Sequence, residues 1–277
     1  MPRVLISRSQ LRPALRVREV RLAGVTNRVL RQLQRLLTPH ELKVSAAIGS
    51  VHPGPLTDRI AGVWRSYHAE LVRALVDPVR VTKDELDPLA GLPIDDSVAG
   101  QQIGRLIQQL STTQLSAVQV QLQALMQLGP TPETLAGIGQ ATGLTRRQVA
   151  MVAAYLQRQQ EAGLSNDVIE RTTKSYADTL LRQRAGTIAR HEAVTYTNAL
   201  VHARGEQLND GGTITKASVS ARDGRVDHGK LLGICRVLDN GQRIPLNQPW
   251  VFEGEEFLSP PYHLGCRCLE EIWDEAA

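Results

Sequence analysis

The stretches that decide the fold read Asp-Gly-Arg-Val-Asp-His at residues 223–228 and Pro-Pro-Tyr-His-Leu-Gly-Cys-Arg-Cys at residues 260–268. Two histidines, two cysteines and several charged residues stand there among Gly and Pro, which favour turns. A long helical pattern that passes through Arg190-His191-Glu192 leads into these stretches. We therefore expect them to form one small unit that packs on the preceding helix.

Short segments rich in β-branched and aromatic residues follow Gly212 and indicate strands. They cover residues 213–220, 234–238, 243–246 and 250–252. Asn240-Gly241 is a strong signal for a hairpin turn between the second and the third of them. The C-terminal part is therefore predicted to be a small, irregular β-containing unit that begins at about residue 212.

The residues before Gly212 follow a helical pattern. Thr145, with Gln148 three residues later, fits a capping box that opens a helix ending at about Glu161. Ser165-Asn166-Asp167 starts another helix, whose apolar period continues through Leu200. The fold class is thus predicted to be α+β, with mainly helical N-terminal and middle parts and the β unit packed on the long helix.

Changes in composition divide the chain into three regions. Prolines and acidic residues concentrate in 77–100, which is typical of a boundary, and the Gln-rich tract after it keeps a helical apolar period. We predict an arginine-rich helical region over 1–90, a linker with Gln-rich helices over 91–129, and a C-terminal domain over 130–277.

Arginine is concentrated at the N-terminus. Residues 1–40 contain nine Arg, no Lys and one acidic residue, Glu19. From Leu22 the apolar residues recur at helical spacing, and arginines form another stripe on the same helix. The stripe consists of Arg21, Arg28, Arg31 and Arg35. Such a helix indicates an anionic partner, either DNA phosphates or an acidic protein face, unless it packs on its own domain and leaves the arginines to solvent.

Composition also excludes some classes of protein. The chain is 42% hydrophobic and 22% charged, as is usual for a globular protein. No apolar run approaches the roughly 18 residues of a membrane span, and the N-terminal apolar segment is too short for a signal peptide. We expect synthesis in the cytoplasm and no membrane partner. The three cysteines are expected to be reduced thiols, because an odd number in a long chain does not make a disulfide framework.

The second of these stretches, residues 260–268, contains candidate metal ligands, and we call it the closing stretch. His263, Cys266 and Cys268 could supply up to three ligands of a zinc ion. A tetrahedral set could be completed by His228, Cys235 or Asp223. The alternative is a small core with two buried thiols and a hydrogen-bonded histidine.

The stretch 223–228 allows a catalytic and a structural interpretation. Asp223 and His228 could act as a general acid–base pair, with Glu192 as a base or a metal ligand. No nucleophile motif and no phosphate-binding Gly-rich loop accompanies them. In the structural interpretation, which we favour, Asp223 forms a turn and Arg225 pairs with a carboxylate such as that of Glu192.

The order of these residues resembles the phage head morphogenesis domain of the Mu F-like minor head proteins. The matching residues are Ile188-Ala189-Arg190-His191-Glu192, Asn198, residues 223–228, Gly233 and residues 260–268. The resemblance covers about residues 130–272, and Cys266-Arg267-Cys268 is its most specific part. Some relatives carry a CxxC after the Asp, where this chain reads Arg225-Val226-Asp227-His228.

The resemblance implies a non-catalytic minor head protein of a phage or prophage. We expect it to act in capsid assembly and in DNA packaging or ejection, inside the virion, after synthesis in the host cytoplasm. Its expected partners are the portal protein, other capsid or scaffold proteins and double-stranded DNA, and a structural zinc is the one cofactor considered. The alternative is a metal-dependent hydrolase or transferase centred on Asp223, His228 and Glu192. A cellular DNA-binding regulator is a third class, although no helix-turn-helix spacing is clear.

No residue is predicted to be catalytic. The predicted structural polar cluster comprises Arg190, Glu192, Asn198, Asp223, Arg225, His228 and Arg267. The predicted metal ligands are His228, His263, Cys266 and Cys268. The predicted nucleic-acid contacts are Arg21, Arg28, Arg31 and Arg35.

Overall fold

The structure is a computed structural model of the chain. It describes residues 1–36, 144–209, 211–221, 233–263 and 266–277, together with single residues between 62 and 89. No helix in these parts has both the length and the apolar character that crossing a bilayer requires.

Three long helices account for most of the described chain, which also contains six strands and a short helix. The helices are α1 (Arg8–Leu36), α2 (Arg146–Glu161), α3 (Asn166–Leu208) and the short α4 (Gly233–Leu238). The strands are β1 (Arg3–Ile6), β2 (Ile214–Val219), β3 (Arg243–Pro245), β4 (Trp250–Phe252), β5 (Glu255–Phe257) and β6 (Leu269–Asp274). The predicted α+β class is confirmed.

Helix α2 begins and ends where local signals predict. The Thr145 hydroxyl oxygen accepts the N–H of Gln148 at 3.3 Å, and the Gln148 side-chain oxygen accepts the N–H of Thr145 at 3.0 Å. This reciprocal pair is the predicted capping box, which satisfies two backbone donors that a helix start leaves unpaired. After the helix, Gly163 adopts a φ of +67°, a left-handed conformation that residues with a Cβ seldom adopt.

Helix α1 confirms the predicted apolar face and starts earlier than predicted. Leu22, Val25 and Val29 are buried, as the helical period requires. The helix begins at Arg8 rather than near Leu22. The Ser7 hydroxyl oxygen accepts the N–H of Gln10 at 3.4 Å, and the Gln10 side-chain oxygen accepts the N–H of Ser7 at 2.8 Å, so the two residues cap this start. The N–H of Arg8 also donates to the Glu271 carboxylate at 2.8 Å, which places a negative charge at the positive end of the helix dipole.

A four-stranded antiparallel sheet has the strand order β1-β6-β2-β3. Strand β6 pairs with β1 on one side and with β2 on the other, so the two ends of the chain are neighbours. The amino group of Met1 accordingly donates to the backbone oxygen of Ala277 at 2.8 Å. Strands β4 and β5 form a separate hairpin. The sequence analysis identified β2, β3 and β4 and missed β1, β5 and β6.

The predicted strand over residues 234–238 is wrong, since this segment is helix α4. Its buried residues are Ile234, Cys235 and Leu238, which lie on one face at helical spacing. A short apolar segment does not distinguish strand from helix by its composition, and packing decides between them. Gly241 is in a turn with a φ of +76°, as predicted, but the turn joins α4 to β3 rather than two strands of a hairpin.

The chain divides into two compact units. Among described residues, 1–22 and 188–277 belong to the first unit, and 23–36 and 144–187 belong to the second. The N-terminal strand is therefore part of the unit that contains the C-terminal sheet. The predicted boundaries near residues 90 and 130 lie outside the described residues and stay a prediction.

Candidate metal centre

A thiol and an imidazole from the closing stretch meet a thiol from α4. The Sγ of Cys235 lies 3.0 Å from the Nε2 of His263 and 3.7 Å from the Sγ of Cys266. All three candidate ligand atoms lie within 4.8 Å of one another. We call Cys235, His263 and Cys266 the thiol–imidazole cluster.

The cluster forms because a turn and a short helix present their side chains to one small core. The N–H of Cys266 donates to the backbone oxygen of His263 at 3.0 Å, and this turn brings both side chains toward α4. Cys235 faces them from the buried side of α4. The surrounding apolar core contains Ile234, Leu238, Ile244, Trp250, Tyr262 and Cys268. The cluster is therefore held by packing on several sides.

The hydrogen bonds of the three thiols favour a negative charge on Cys266. Hydrogen bonds from the Cys235 and Cys268 thiols lower the pKa of Cys266 well below that of an ordinary cysteine. The hydrogen bond to Cys266 raises the pKa of Cys235, and hydrogen bonds to Cys235 and then to Cys266 raise the pKa of Cys268. The N–H of Cys268 adds a donor 3.5 Å from the Cys266 sulfur. Cys266 is thus the thiol most easily obtained as the thiolate, the form that binds metals.

The donor set fits zinc. Zinc binds thiolate sulfur at about 2.3 Å and imidazole nitrogen at about 2.0–2.1 Å, so neighbouring ligand atoms in a tetrahedral site lie about 3.5–4 Å apart. The observed separations of 3.0 and 3.7 Å are close to that spacing. Two sulfurs and one imidazole nitrogen are also the donors that structural zinc sites use. The three residues could hold a metal ion.

The structure brings together two of the four predicted ligands, His263 and Cys266. Cys235, which the sequence offered only as a completing ligand, is the third member. Cys268 is buried beside them but does not belong to the set whose atoms are all within 4.8 Å. His228 lies outside the described residues, as do Asp223 and Arg225, so their roles stay predictions.

Helix α3 lies alongside the closing stretch. His191 is half-buried, and that burial lowers its pKa, while the nearby Cys266 opposes this and His263 adds to it. Its Nδ1 is buried and has no hydrogen-bond partner among the described residues. The imidazole of His191 therefore lies near the thiol–imidazole cluster, in addition to that of His263.

Asn198, a residue of the predicted polar cluster, connects α3 to β6. Its side-chain amide donates to the backbone oxygen of Cys268 at 3.0 Å, and its Oδ1 accepts the N–H of Glu270 at 2.8 Å. The residue is fully buried. One side chain thus satisfies a backbone acceptor and a backbone donor of β6, as a neighbouring strand would.

A buried charged network continues along the same helix. The Nδ1 of His202 lies 3.0 Å from the Glu270 carboxylate, and Glu270 is fully buried. Lys216 of β2, also fully buried, donates its ammonium to the backbone oxygen of Leu258. Burial lowers the pKa of Lys216, and the charge of Glu270 opposes that shift. Sequence analysis missed these three residues, because they come from three separate elements.

Gly205 allows α3 to approach the sheet closely. A Cβ at this position would lie 3.0 Å from a methyl carbon of Leu246 and 3.1 Å from one of Ile272. Both distances are shorter than ordinary van der Waals contact. Asn198, His202 and Gly205 therefore form one face of α3 against β6.

Arg190 and Glu192 occupy other positions on α3. The guanidinium of Arg190 lies 3.8 Å from the carboxylate of Glu19. Glu192 is buried, and desolvation raises its pKa to about 7. Arg267, between the two cysteines of the closing stretch, is half-buried. Asn198, which also belongs to the predicted polar cluster, donates a hydrogen bond to that stretch at Cys268.

The four predicted DNA-contacting arginines of α1 differ in their surroundings. Arg28 pairs with Glu70, and Arg31 lies 3.9 Å from Asp178. Arg21 and Arg35 are exposed, and neither makes an ion pair with any residue in the described ranges. Arg21 and Arg35 are therefore better placed than Arg28 and Arg31 to bind an anionic partner.

Comparisons of the chain with protein-family models, with curated proteins and with solved structures found no match.

Proposed function

We propose that the chain is a non-catalytic minor head protein of a phage or prophage, which docks on the portal and contacts packaged DNA. The observation that supports this proposal best is the attachment of the closing stretch to α3 through Asn198. Four residues that carry the family resemblance, Glu192, Asn198, Cys266 and Cys268, are buried. Asn198 bonds directly to the backbone of Cys268 and Glu270.

The burial of the thiol–imidazole cluster supports a structural rather than a catalytic role for any metal it holds. Cys235 and Cys266 are 4% and 1% exposed. We propose that Cys235, His263 and Cys266 are ligands of a structural zinc ion. When bound, the zinc would link α4 covalently to the closing stretch and stabilise this part of the fold.

Exposed arginines on α1 support a contact with DNA. Arg21 and Arg35 project charges that no described acidic residue neutralises. The ion pairs of Arg28 and Arg31 involve side chains that are 61% and 41% exposed, and exposed ion pairs are weak enough to be exchanged for phosphates.

Mass spectrometry of purified virions tests the role as a head protein. Phage particles would be induced from a host that carries the gene and purified by density gradient, and their proteins would be quantified against the portal. We expect this chain at a few copies per particle, and at normal particle yield its absence from the heads would contradict the proposal. Defective heads after deletion of the gene, restored by a plasmid copy, would support it further.

Elemental analysis of the untagged protein tests the zinc site. We expect about one zinc per chain in the wild type and a loss of zinc in Cys235→Ser and Cys266→Ser. Met151→Ser removes a sulfur atom at an exposed position of α2, so this control should keep the metal. Metal-free wild-type protein that folds normally and does not take up added zinc would exclude this part of the proposal.

A further inference from the structure

The thiol–imidazole cluster has a reactivity that metal binding does not require. All three cysteines are free, and two of their sulfurs, those of Cys235 and Cys266, lie 3.7 Å apart. A disulfide needs a separation of about 2.05 Å, so a movement of less than 2 Å would join them. We propose that Cys235 and Cys266 form a reversible disulfide when a peroxide oxidises them.

The reaction takes place in two balanced steps. The Cys266 thiolate attacks a peroxide oxygen and the O–O bond breaks, which leaves a sulfenic acid on Cys266. The departing hydroxide takes up the proton that the Cys266 thiol released when it became the thiolate, and leaves as water. The sulfur of Cys235 then attacks the sulfur of Cys266, the S–O bond breaks, and a second water leaves with the proton of the Cys235 thiol. Two thiols and one hydrogen peroxide give one disulfide and two waters.

Neighbouring groups assign these roles to the two sulfurs. The N–H of Cys268 points at the Cys266 sulfur from 3.5 Å and stabilises a negative charge there. The Nε2 of His263, 3.0 Å from the Cys235 sulfur, is the base within reach of the proton that Cys235 must lose. Cys268 follows Cys266 by two residues, and a disulfide between such close positions is strained.

The burial of the pair determines which oxidant can react. Cys235 is 4% exposed and Cys266 is 1% exposed. Hydrogen peroxide is small and uncharged, whereas a disulfide reagent such as oxidised glutathione is bulky and charged. We therefore expect hydrogen peroxide to oxidise the pair and oxidised glutathione to be much slower.

The inference deepens the proposed zinc site, because a sulfur in a disulfide is no longer a thiolate ligand. Zinc-loaded protein should therefore resist peroxide, and oxidation should release its zinc. The disulfide itself does not depend on zinc. A protein that binds no zinc but forms the Cys235–Cys266 bond would refute the zinc proposal alone. A protein that binds zinc, but whose metal-free form gives no such bond with peroxide, would refute the inference alone.

Thiol counting and peptide mapping of the full chain test the inference. Metal-free protein would be treated with hydrogen peroxide, alkylated in denaturant, and digested without a reductant. We expect the number of alkylated cysteines to fall from three to one, a Cys235–Cys266 cross-linked peptide, and full recovery of the thiols with dithiothreitol. A map that shows Cys266 joined to Cys268, or three thiols left after peroxide treatment, would overturn the inference.

Variants separate the two steps. Cys268→Ser should still form the disulfide, and Cys235→Ser should stop at a Cys266 sulfenic acid that dimedone traps. His263→Asn should slow disulfide formation more than sulfenic acid formation, because it removes the base near Cys235. A Cys235→Ser protein that forms an intramolecular disulfide as fast as the wild type would contradict the assignment. If this variant does not fold, the wild-type peptide map decides alone.

Discussion

At the scale of single residues, Asn198 connects the long helix to the closing stretch. It occupies a fully buried position on α3 and bonds both the oxygen of Cys268 and the N–H of Glu270. A side chain that serves two buried backbone groups is costly to lose, because both groups are then left without a partner away from water. This residue should therefore affect the whole C-terminal unit.

Asn198→Ala should lower the free energy of unfolding by about 3 kcal/mol, since each orphaned backbone group costs about 1–3 kcal/mol. Chemical denaturation followed by circular dichroism measures the change. Gln207→Ala, an exposed amide on the same helix, should change stability by less than about 0.5 kcal/mol. Equal losses in the two variants would show that Asn198 does not anchor β6.

Glu192 should make stability depend on pH. Desolvation raises the pKa of this buried carboxyl from 4.5 to about 7 in the folded state, so the folded protein holds the proton more tightly than the unfolded chain. The contribution of protonated Glu192 to the free energy of unfolding is fully present below about pH 4.5 and is lost as the pH rises through about 7. The loss is of the order of 3 kcal/mol, because one pKa unit corresponds to about 1.4 kcal/mol.

Glu192→Gln should remove this loss, so the variant should be more stable than the wild type at pH 8 and vary less between pH 5 and 8. Denaturant unfolding across this pH range provides the comparison. Glu170→Gln, which changes an exposed carboxyl on the same helix, should follow the wild-type curve. The raised pKa of Glu192 would be contradicted if wild-type stability rose between pH 5 and 8 and the Glu192→Gln variant lacked that rise.

At the scale of elements, the face of α3 that carries Asn198, His202 and Gly205 determines how the helix packs on β6. Each of the three residues contributes differently. Asn198 makes two hydrogen bonds, the Nδ1 of His202 lies 3.0 Å from the Glu270 carboxylate, and Gly205 has no side chain. The buried polar atoms of His202 and Glu270 are partners of each other, which makes a polar pair tolerable in a core. Close approach at Gly205 brings these groups within bonding distance.

Gly205→Val should be destabilised by about 1–3 kcal/mol, since its side chain would enter the space of Leu246 and Ile272. Gly186→Val is a matched control on the same helix, because nothing lies within 4 Å of a Cβ there. The control should be close to neutral, as valine and glycine differ by less than 1 kcal/mol in helix propensity. Thermal or chemical unfolding of the two variants tests the difference, and similar stabilities would refute close packing at Gly205.

At the scale of the whole molecule, both ends of the chain take part in the sheet. Strand β1 pairs with β6, and the Glu271 carboxylate accepts the N–H of Arg8 at the start of α1. The arginine-rich helix therefore begins next to the sheet that contains β6.

Arg21→Gln combined with Arg35→Gln should weaken DNA binding and its dependence on salt. Each lost phosphate contact lowers the slope of log affinity against log salt by about 0.9, so the double variant should lose about 2. Fluorescence anisotropy with a short duplex at several salt concentrations measures the slope. Arg158→Gln with Arg171→Gln removes the same charge from exposed positions elsewhere. Equal slopes in the two double variants would refute a specific contact by α1.

The sequence alone determined the elements whose signals are local. The capping box of Thr145 and Gln148 predicts the start of α2, and the apolar period predicts α3, because both depend on residues three or four apart. His263 and Cys266 are identifiable as candidate metal ligands from their side-chain chemistry and close spacing. The α+β class follows from the change from helical to strand-forming patterns after Gly212.

The tertiary structure decided what depends on contacts between distant residues. Cys235 joins His263 across 28 positions, and Asn198 reaches β6 across about 70, separations over which no spacing rule operates. Strand β1 has four residues and is too short to show a period. The segment 234–238 is a helix because that conformation buries Ile234, Cys235 and Leu238 on one face. Burial of Lys216 and Glu270 likewise requires partners that only the folded chain assembles, since an unpaired charge is unfavourable away from water.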